Sequence, residues 1–384
     1  MTRGRLVIIT EIIAPYRIPI FNALSARSDV DPHIIFLSEN DPSLRQWRVY
    51  KEEIKFSHEV LPGWRRRVGK YNLLVNRGVT AALVRANPEA VVCGGYSYLA
   101  SWQAAAWARR HDVPLLLWSE STARDLRRRY TAVEFMKVQF SRRCQAFVAA
   151  GKSSRDYLLA LGAPDRCIFI APDAVDVTFY SKGAEWARAH ADEIRARHRL
   201  PSRYFLCAGR LVKEKGVFDL LSAYAKLDES IRTRIGLVFA GGGTAGCELT
   251  QRAADIRPGI VKFCGFVQRE EILELYALAD ALVFPTHSDP WGLVVNEAMS
   301  CGLPIIASEV AGCVSDLVEN NWNGFVVPSR SVEDLARAMQ TMANQPELAE
   351  KMGFHSIQRI RSHTPELWAQ GLVEALLFAS NGVK

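Results

Sequence analysis

The sequence predicts an α/β fold with two domains, each built on its own parallel sheet. Short apolar, β-branched runs alternate with longer segments of helical period almost throughout, and the alternation restarts after residue 200. A strand, helix, strand succession favours parallel sheets with helices on both faces. The chain of 384 residues also exceeds the size at which one hydrophobic core usually stops growing. Together these observations indicate two similar domains in series.

The predicted strands follow in chain order. Those of the first domain are RLVIIT (5–10), HIIFL (33–37), AVVCGG (90–95), PLLLWSE (114–120), QAFVAA (145–150) and CIFIA (167–171). Those of the second are YFLCAGR (204–210), IGLVFAGGG (235–243), VKFCGF (261–266), ALVFPT (281–286), PIIAS (304–308) and GFVVP (324–328). Ligands of open parallel sheets bind outside the carboxyl ends of the strands, so a cleft between the domains is the expected active site.

Two further segments have distinctive sequence patterns: the segment that connects the two domains, and the carboxyl-terminal tail. The polar segment 173–190 contains the turn-prone residues Ser181 to Gly183, which predict a hinge near residue 180. The tail has only helical patterns, and Thr364 and Pro365 are typical of an N-cap and a first helical position.

Charge and cysteine content restrict the class of protein. Residues 1–180 carry 26 Lys or Arg against 17 Asp or Glu, a net charge of +9, whereas the whole chain carries +7. The first half is therefore expected to face an anionic partner. The eight cysteines form no CxxC pair and no zinc-like spacing, which favours reduced thiols. With no signal-peptide pattern and no apolar run of about 18 residues, we expect a cytoplasmic protein.

A basic amphipathic segment adds a membrane hypothesis. From Arg124 to Arg143, the apolar residues Leu126, Tyr130, Val133, Met136 and Phe140 recur at helical spacing among arginines. WRRR (64–67) adds a second basic cluster. Such a helix could lie on anionic lipid, at the inner face of a membrane. An apolar stripe that faces the core and has a solvated back predicts the same pattern.

The segment ALVFPTHSDPWGLVVNEAMSCG (281–302) predicts a strand, a loop and a helix, with one carboxylate on the loop and another on the helix. The loop carries His287 and Asp289, and Gly292 lets a ligand approach the backbone. The unpaired N–H groups of the first helical turn favour phosphate or hydroxyl groups. Glu297, on the helix, can accept hydrogen bonds from a hydroxyl pair such as that of a ribose. A structural role, with Asp289 as an N-cap and Glu297 as an ordinary surface residue, explains the pattern as well.

The segment YFLCAGRLVKEKGVFDLL (204–221) has the same design. A strand is followed by a loop with Arg210 and Lys215, and a helix begins at Gly216. Two cations beside a helix start would neutralise a diphosphate through charge-assisted hydrogen bonds, without a metal. A solvated charged turn is the alternative.

A glycine loop and a strand-end carboxylate complete the candidates. Gly241, Gly243 and Gly246 match GxGxxG after a strand. That strand is not the first of its domain, and no acidic residue ends a strand about 20 positions later, which argues against NAD or FAD. A loop beside a nucleotide or sugar fits better. Glu120 ends its strand, where a carboxylate could orient an acceptor hydroxyl or act as a base, or serve as an N-cap or loop residue.

The motifs resemble a known family when they are read in order. AGRLVKEKG, FAGGG, FCGFVQREEILELYALADALVFPT and SDPWGLVVNEAMSCGLPIIASEVAGCVSDLVENNWNGFVVP closely resemble the carboxyl-terminal domain of the retaining glycosyltransferases of family 4. The similarity covers roughly residues 204–345, and APYRIPIFNAL (14–24) looks like the opening of bacterial polysaccharide-assembly members.

The resemblance implies the GT-B fold, with two Rossmann-like domains that face each other across a cleft. Residues 1–180 would bind the acceptor, residues 181–362 the nucleotide sugar, and a last helix in 363–384 would pack back on the first domain.

The resemblance also implies roles for individual residues. Arg210 and Lys215 would hold the donor diphosphate in place of a metal, and Glu297 would bind the ribose. Asp289 stands where the family usually has a glutamate that reaches sugar hydroxyls. The other donor-binding positions are Gly241, Gly243, His287, Gly292, Leu293 and Val294. Glu120 stands where many members have a histidine, and APYRIP replaces their glycine pair.

The sequence therefore predicts a retaining glycosyltransferase that uses a UDP- or GDP-sugar, requires no metal or other cofactor and does not bind nucleic acid. Its acceptor would be a glycan or a lipid-linked molecule, in polysaccharide or glycolipid assembly. The alternatives are a non-catalytic nucleotide-sugar-binding protein and a nucleotide-sugar epimerase of the same fold.

Overall fold

The structure, a computed structural model, describes residues 4–40, 46–68, 71–124 and 131–381. The strands are β1 (Gly4–Ile12), β2 (Val30–Ser38), β3 (Ser57–Val60), β4 (Gly63–Val68), β5 (Tyr71–Asn76), β6 (Ala90–Cys93), β7 (Leu115–Ser119), β8 (Ala146–Ala149), β9 (Ile168–Ile170), β10 (Tyr204–Ala208), β11 (Gly236–Ala240), β12 (Val261–Gly265), β13 (Ala281–Phe284), β14 (Ile305–Ser308) and β15 (Gly324–Val327). The helices are α1 (Ile18–Ser25), α2 (Val79–Ala86), α3 (Leu99–Arg110), α4 (Thr131–Ser141), α5 (Lys152–Ala160), α6 (Val177–Ala189), α7 (Ala191–His198), α8 (Val217–Ala225), α9 (Glu229–Arg232), α10 (Gly246–Ala253), α11 (Arg269–Leu278), α12 (Leu293–Ser300), α13 (Val314–Leu317), α14 (Val332–Asn344), α15 (Pro346–Ile360) and α16 (Pro365–Asn381).

Two parallel sheets organise these elements. The first has seven strands in the order β3-β2-β1-β6-β7-β8-β9, and the second has six in the order β12-β11-β10-β13-β14-β15. Every strand predicted from an apolar run is present, and the predicted α/β class with two parallel sheets is confirmed. The inner strands β6, β10 and β11 are buried along their length, as expected where helices cover both faces.

The order of the strands locates the natural binding crevice of each sheet. In the first sheet the chain builds β2 and β3 on one side of β1 and β6 to β9 on the other. In the second it builds outward on both sides of the β10 and β13 pair. Ligands of such sheets bind beyond the carboxyl ends of the strands where the order reverses. These positions are the segments that follow β1 and β6 and those that follow β10 and β13.

The chain divides into two compact units. Unit 1 runs to Val175 and takes up the chain again from Thr364, and unit 2 runs from Asp176 to His363. The turn expected at Ser181 to Gly183 is wrong, because these residues lie inside helix α6.

Helix packing explains the glycine that suggested this turn. The carboxylate of Asp176 caps α6 by accepting a hydrogen bond of 2.8 Å from the Phe179 N–H. A Cβ on Gly183 would collide with the Leu273 side chain of α11. Gly183 therefore lets α6 and α11 pack closely, and it does not end the helix.

The last helix completes the core of unit 1. Trp368 of α16 is fully buried, with its ring centroid 5.8 Å from that of Phe21 and 5.1 Å from that of Trp118. The N–H of Leu367 donates to Thr364 Oγ1 at 3.4 Å, in agreement with the predicted N-cap. The predicted return of the last helix to the first domain is therefore present.

Two further expectations concern the cysteines, which were predicted to be reduced, and membrane-spanning helices, of which none was predicted. All eight cysteines lie in the described residues and none forms a disulfide bond, and Cys93, Cys207, Cys301 and Cys313 are buried. None of the helices in the described part of the chain is long and apolar enough to cross a bilayer.

Candidate active site

Two loops at the crevice of unit 2 are joined into one piece. The loop after β10 ends in a 3-10 turn, Lys213–Lys215, and Gly216 has a φ of 68°. A Cβ on Gly216 would overlap the Pro285 carbonyl in the loop after β13, so only glycine permits this approach. The Glu214 carbonyl accepts hydrogen bonds from Thr286 Oγ1 at 3.2 Å and from the His287 N–H at 2.8 Å. The backbone thus fixes the position of each loop relative to the other.

The joined loops bring together two predicted site residues, Lys215 and Asp289. Lys215 Nζ forms an ion pair with Asp289 Oδ2, and both side chains are largely buried. Asp289 Oδ1 accepts a hydrogen bond of 3.2 Å from the Trp291 N–H. The N-cap of helix α12 is Gly292, and no side chain caps it, so the alternative of Asp289 as a helix cap is wrong. The carboxylate is instead oriented by Lys215 and by its own turn.

Arg210 differs from Lys215 in its surroundings. It follows β10 and is exposed, and no hydrogen bond or ion pair of its guanidinium appears within the described residues. The charge of Lys215 is already matched by Asp289, whereas that of Arg210 is available for an incoming anion. A guanidinium can bind two phosphate oxygens at once.

The start of α12 has the form expected of a phosphate or hydroxyl site. Gly292 has a φ of 102°, and a Cβ there would lie 2.7 Å from the Phe284 ring, so the position requires glycine. Leu293 and Val294, both partly exposed, occupy the first turn, where N–H groups lack partners in the helix. The N–H of Gly312 donates to the Asp289 carbonyl at 3.0 Å and braces the loop from the β14 side.

Glu297 lies one turn further along α12 in a pocket of tyrosines. The Tyr276 hydroxyl donates a hydrogen bond of 2.8 Å to its carboxylate, and Tyr180 donates another. Burial raises the pKa of Glu297 to about 7, although the two tyrosine hydrogen bonds act in the opposite direction. Burial also raises the pKa of both tyrosines. Glu297 is therefore a positioned carboxylate that titrates near neutral pH, and the interpretation as an ordinary surface residue is wrong.

The glycines of the loop after β11 serve the packing of backbones. Gly241 has a φ of 148°, and a Cβ there would overlap the Gly209 carbonyl. Gly243 has a φ of 157°, and a Cβ there would overlap the Leu211 carbonyl. The Leu211 N–H donates to the Gly242 carbonyl at 2.9 Å. These glycines let their loop support the segment that carries Arg210, and their predicted contact with a donor stays a prediction.

The side chain of His287 contacts a carboxylate of unit 2. Its Nε2 lies 2.7 Å from Asp219 Oδ2, on helix α8. The backbone N–H of His287 is the group that joins the two loops. The structure thus gives His287 a part in holding the loop, and its predicted donor contact is untested.

Unit 1 carries a second cluster, at the carboxyl edge of its own sheet. Glu120 follows β7 and forms an ion pair with Arg17, which follows β1. Arg17 also donates to Asp173 Oδ1 at 2.8 Å. Glu120 precedes an irregular segment, so it is no N-cap of an adjacent described helix. The carboxylate at this strand end is part of a network across the sheet.

Several residues of these sites were not predicted from the sequence. Arg17 lies within the quoted APYRIP motif, and Asp173 follows a predicted strand, so their positions gave a weak signal. Tyr180 and Tyr276 lie on helices far apart in the chain and gave none. Among the residues described, no three His, Cys, Asp or Glu side chains are grouped so as to hold a metal ion.

Comparison with known proteins identifies the domain that carries the first site. Residues 191–359 match the family model described as glycosyl transferases group 1. This segment is a glycosyl transferases group 1 domain. The group 1 domain contains all six strands of the second sheet, together with Arg210, Lys215, Asp289 and Glu297.

Sequence relatives of the group 1 domain are named as sugar transferases. A glycogen synthase of Mycobacterium tuberculosis is 29% identical over 283 residues, which are 71% of this chain and 64% of the relative. A D-inositol 3-phosphate glycosyltransferase of Streptomyces griseus is 37% identical over 171 residues, 41% of this chain and 36% of the relative. The chain thus spans less than two thirds of the length of these relatives.

A solved structure extends the likeness beyond the group 1 domain. Anabaena HepE, crystallised in complex with UDP and glucose, has a TM-score of 0.76 and 17% sequence identity. The match covers 98% of this chain and 100% of that one. It shows the fold, and the GT-B fold implied by the sequence resemblance is confirmed.

Proposed function

We propose that the protein is a retaining, metal-independent glycosyltransferase of family 4 that moves a sugar from a UDP- or GDP-sugar to an acceptor hydroxyl. The observation that carries the proposal is the joined pair of loops in the group 1 domain, which pairs Lys215 with Asp289. Arg210 lies on the first of these loops, and Glu297 lies on the helix that follows the second. The names of the relatives, and the UDP and glucose bound by HepE, support a nucleotide-sugar donor.

Each side chain of this crevice suits one part of a nucleotide sugar. Glu297 accepts hydrogen bonds from the ribose hydroxyls, and its two tyrosine partners set its orientation. Arg210 and Lys215 neutralise the diphosphate beside the first turn of α12. Asp289, which Lys215 holds, accepts from the hydroxyls of the transferred sugar. A bidentate guanidinium and an ammonium supply the positive charge that a metal ion supplies elsewhere.

The chemical step breaks one bond and forms another at the same carbon. The bond from C1 of the donor sugar to the diphosphate oxygen breaks, and the acceptor oxygen bonds to C1 on the same face. The proton of the acceptor hydroxyl passes to the departing diphosphate. Negative charge develops on the diphosphate as it leaves, so fixed donors and cations around it stabilise the transition state more than the bound donor.

A panel of nucleotides and nucleotide sugars tests this function. We expect one nucleoside diphosphate and its sugar to raise Tm in proportion to the logarithm of concentration over Kd, because they bind the folded state alone. Glu297→Ala should remove most of this shift. Incubation with the binding nucleotide sugar should then release the nucleoside diphosphate, to water or to an added acceptor.

The products distinguish the alternatives. Binding without turnover on any acceptor, and without rescue by Asp289→Glu, would indicate a non-catalytic binding protein. Release of a free epimerised sugar would indicate an epimerase. Product formation that survives full chelation of divalent metals supports the metal-independent mechanism, and loss of activity on chelation contradicts it.

The acceptor side leads to a proposal about location. We propose a cytoplasmic protein that docks on an anionic membrane and acts on a glycan or lipid-linked acceptor. Helix α4 exposes Phe135, with 64% of its surface accessible, and Met136, and the exposed Arg142 and Arg143 follow the helix. Apolar side chains beside arginines suit an anionic interface. Leu126 and Tyr130 lie outside the described residues, and Phe140 is fully buried.

Vesicle binding tests this location. We expect the protein to bind vesicles that contain phosphatidylglycerol at low salt and to dissociate as salt rises, because the attraction is screened. Replacing both Phe135 and Met136 by serine should weaken binding. Leu377→Ser removes an equally exposed apolar side chain from α16 and serves as the control. Equal binding of neutral vesicles, or full binding by the double variant, would contradict the proposal.

A further inference from the structure

The carboxyl edge of the unit 1 sheet holds a charged cluster that no donor contact explains. Arg17 follows β1, Glu120 follows β7 and Asp173 follows β9, so three strand ends contribute. Gly94 and Gly95 follow β6, the neighbour of β1, and apart from the chain neighbours of Gly95 no atom of the described residues lies within 4 Å of the position that a Cβ on it would take. The cluster therefore lies at the reversal of strand order, where parallel sheets bind ligands, next to backbone that a ligand can approach.

Arg17 is fixed on every side. Its guanidinium donates to Asp173, whose side chain is 1% exposed, and pairs with Glu120, while its own side chain is 13% exposed. The guanidinium lies 4.4 Å from the centroid of the Trp118 ring and 5.4 Å from that of Tyr16. A planar cation held by two carboxylates and two aromatic rings has little freedom to change its position.

Glu120 is the member of the cluster that reaches solvent. Its side chain is 33% exposed, and its Oε1 accepts from Arg17. Oε2 has no hydrogen-bond partner among the residues that the structure describes. Arg17 fixes the direction of this carboxylate, so Oε2 is an oriented acceptor at the mouth of the crevice.

The charge of the cluster defines what can bind there. Of its two carboxylates, Asp173 is buried, and Glu120 presents its negative charge at the solvent-exposed end of the cluster. A phosphate or carboxylate next to the Glu120 carboxylate would be repelled, and its open oxygen, Oε2, accepts hydrogen bonds. A hydroxyl of an uncharged sugar satisfies both conditions.

We propose that Arg17 is a positioning residue that holds Glu120 to bind a hydroxyl of an uncharged acceptor sugar. The inference rests on the proposed glycosyltransferase function and names the chemical class of its acceptor. Arg17 acts through Glu120 and Asp173 and does not itself touch the substrate.

Kinetics on defined acceptors test the inference. With the nucleotide sugar that stabilises the protein, methyl glycosides of neutral hexoses are compared with hexose 6-phosphates and with water as acceptors. We expect transfer to the neutral glycosides to exceed transfer to the phosphates. Arg17→Gln should raise the acceptor KM about tenfold to a hundredfold, the range for one charge-assisted hydrogen bond. Donor affinity and hydrolysis of the donor by water should stay at wild-type values.

Further variants separate positioning from general damage to the fold. Arg17→Lys should restore only part of the acceptor affinity, because an ammonium cannot bridge both carboxylates with the same geometry. Glu120→Gln should match Arg17→Gln in acceptor KM. Arg5→Gln removes the Arg5 and Asp31 pair from β1 in the same unit and is the matched control.

The outcomes are distinct from a failure of the proposed function. A wild-type acceptor KM in Arg17→Gln, or a preference for phosphorylated acceptors, overturns the inference while donor binding stands. Absence of donor binding and donor hydrolysis in the wild-type protein overturns the proposed function itself.

Discussion

Arg210→Ala and Lys215→Ala are each expected to lower kcat for sugar transfer by about 10²-fold, on the scale of losing one preorganised donor to a developing anion. Both cations lie on the loop after β10, which the Glu214 carbonyl joins to the loop of Asp289. In the proposed mechanism they stabilise the charge of the departing diphosphate from this joined segment.

The two variants should differ in the rest of their kinetics. Arg210 has no ion pair within the described residues, so its loss should act mainly on the diphosphate. Lys215 is paired with Asp289, so Lys215→Ala also releases that carboxylate and should raise the donor KM. Lys213→Ala removes the same charge from an exposed position in the same turn and is the control. Wild-type kcat in both site variants would contradict the mechanism.

The affinity for a nucleotide sugar should depend on pH through Glu297. With its pKa raised to about 7, this carboxyl is largely protonated in mildly acidic solution and ionised above neutrality. In the proposed function the ribose hydroxyls bind the ionised form, so the affinity should fall as pH decreases below the pKa, by up to about tenfold per unit. Above the pKa it should be constant. Calorimetric titration from about pH 5.5 to about pH 8 measures this profile.

The stability of the protein without donor should depend on pH in the opposite direction to the donor affinity. The folded protein binds the Glu297 proton more tightly than the unfolded chain does, because burial raises the pKa from 4.5 to about 7. The free energy of unfolding should therefore fall as pH rises through this interval and become independent of this group above it. The ionised form of Glu297, to which the proposed function assigns donor binding, is thus the form in which the protein without donor is less stable.

Variants assign the pH profile to Glu297. Glu297→Gln should weaken binding at high pH and remove the pH dependence. Tyr276→Phe removes a hydrogen bond that lowers the pKa, so the midpoint should move to higher pH. Glu333→Gln changes an exposed carboxyl on α14 and is the control. A nucleotide sugar has no phosphate group that titrates near neutral pH, so an unchanged profile in Glu297→Gln would contradict the assignment.

The apolar pattern predicted most of the fold for a physical reason. A strand of a parallel sheet is buried on both faces and therefore appears as a continuous apolar run. The same reasoning missed β3, at a sheet edge with the sequence SHEV, and the antiparallel pair of β4 and β5, where GWRRRV is charged. It also predicted a turn at Gly183, because a glycine that admits a neighbouring helix looks the same in sequence as one that ends a helix.

The candidate site residues could be named from the sequence where a strand, a loop and a helix follow one another. Arg210, Lys215 and Asp289 lie in such loops, Glu297 lies on the helix after one of them, and the family resemblance includes all four. The contacts that set their chemistry were not predictable, because they join distant segments. Lys215 meets Asp289 across 74 positions, and Arg17 meets Asp173 across 156. No local pattern records these pairs, and they decide which charges are already matched and which are available to a ligand.

The return of α16 to unit 1 has a consequence for the order in which the chain matures on the ribosome. Phe21 and Trp118 are made early, but Trp368, which covers them, emerges only after every residue of unit 2. All strands of unit 2 have been synthesised before Trp368 emerges, whereas the apolar surface of unit 1 that Trp368 covers stays exposed until then. During synthesis the later unit can therefore finish first, and the earlier unit is the one that needs protection from aggregation.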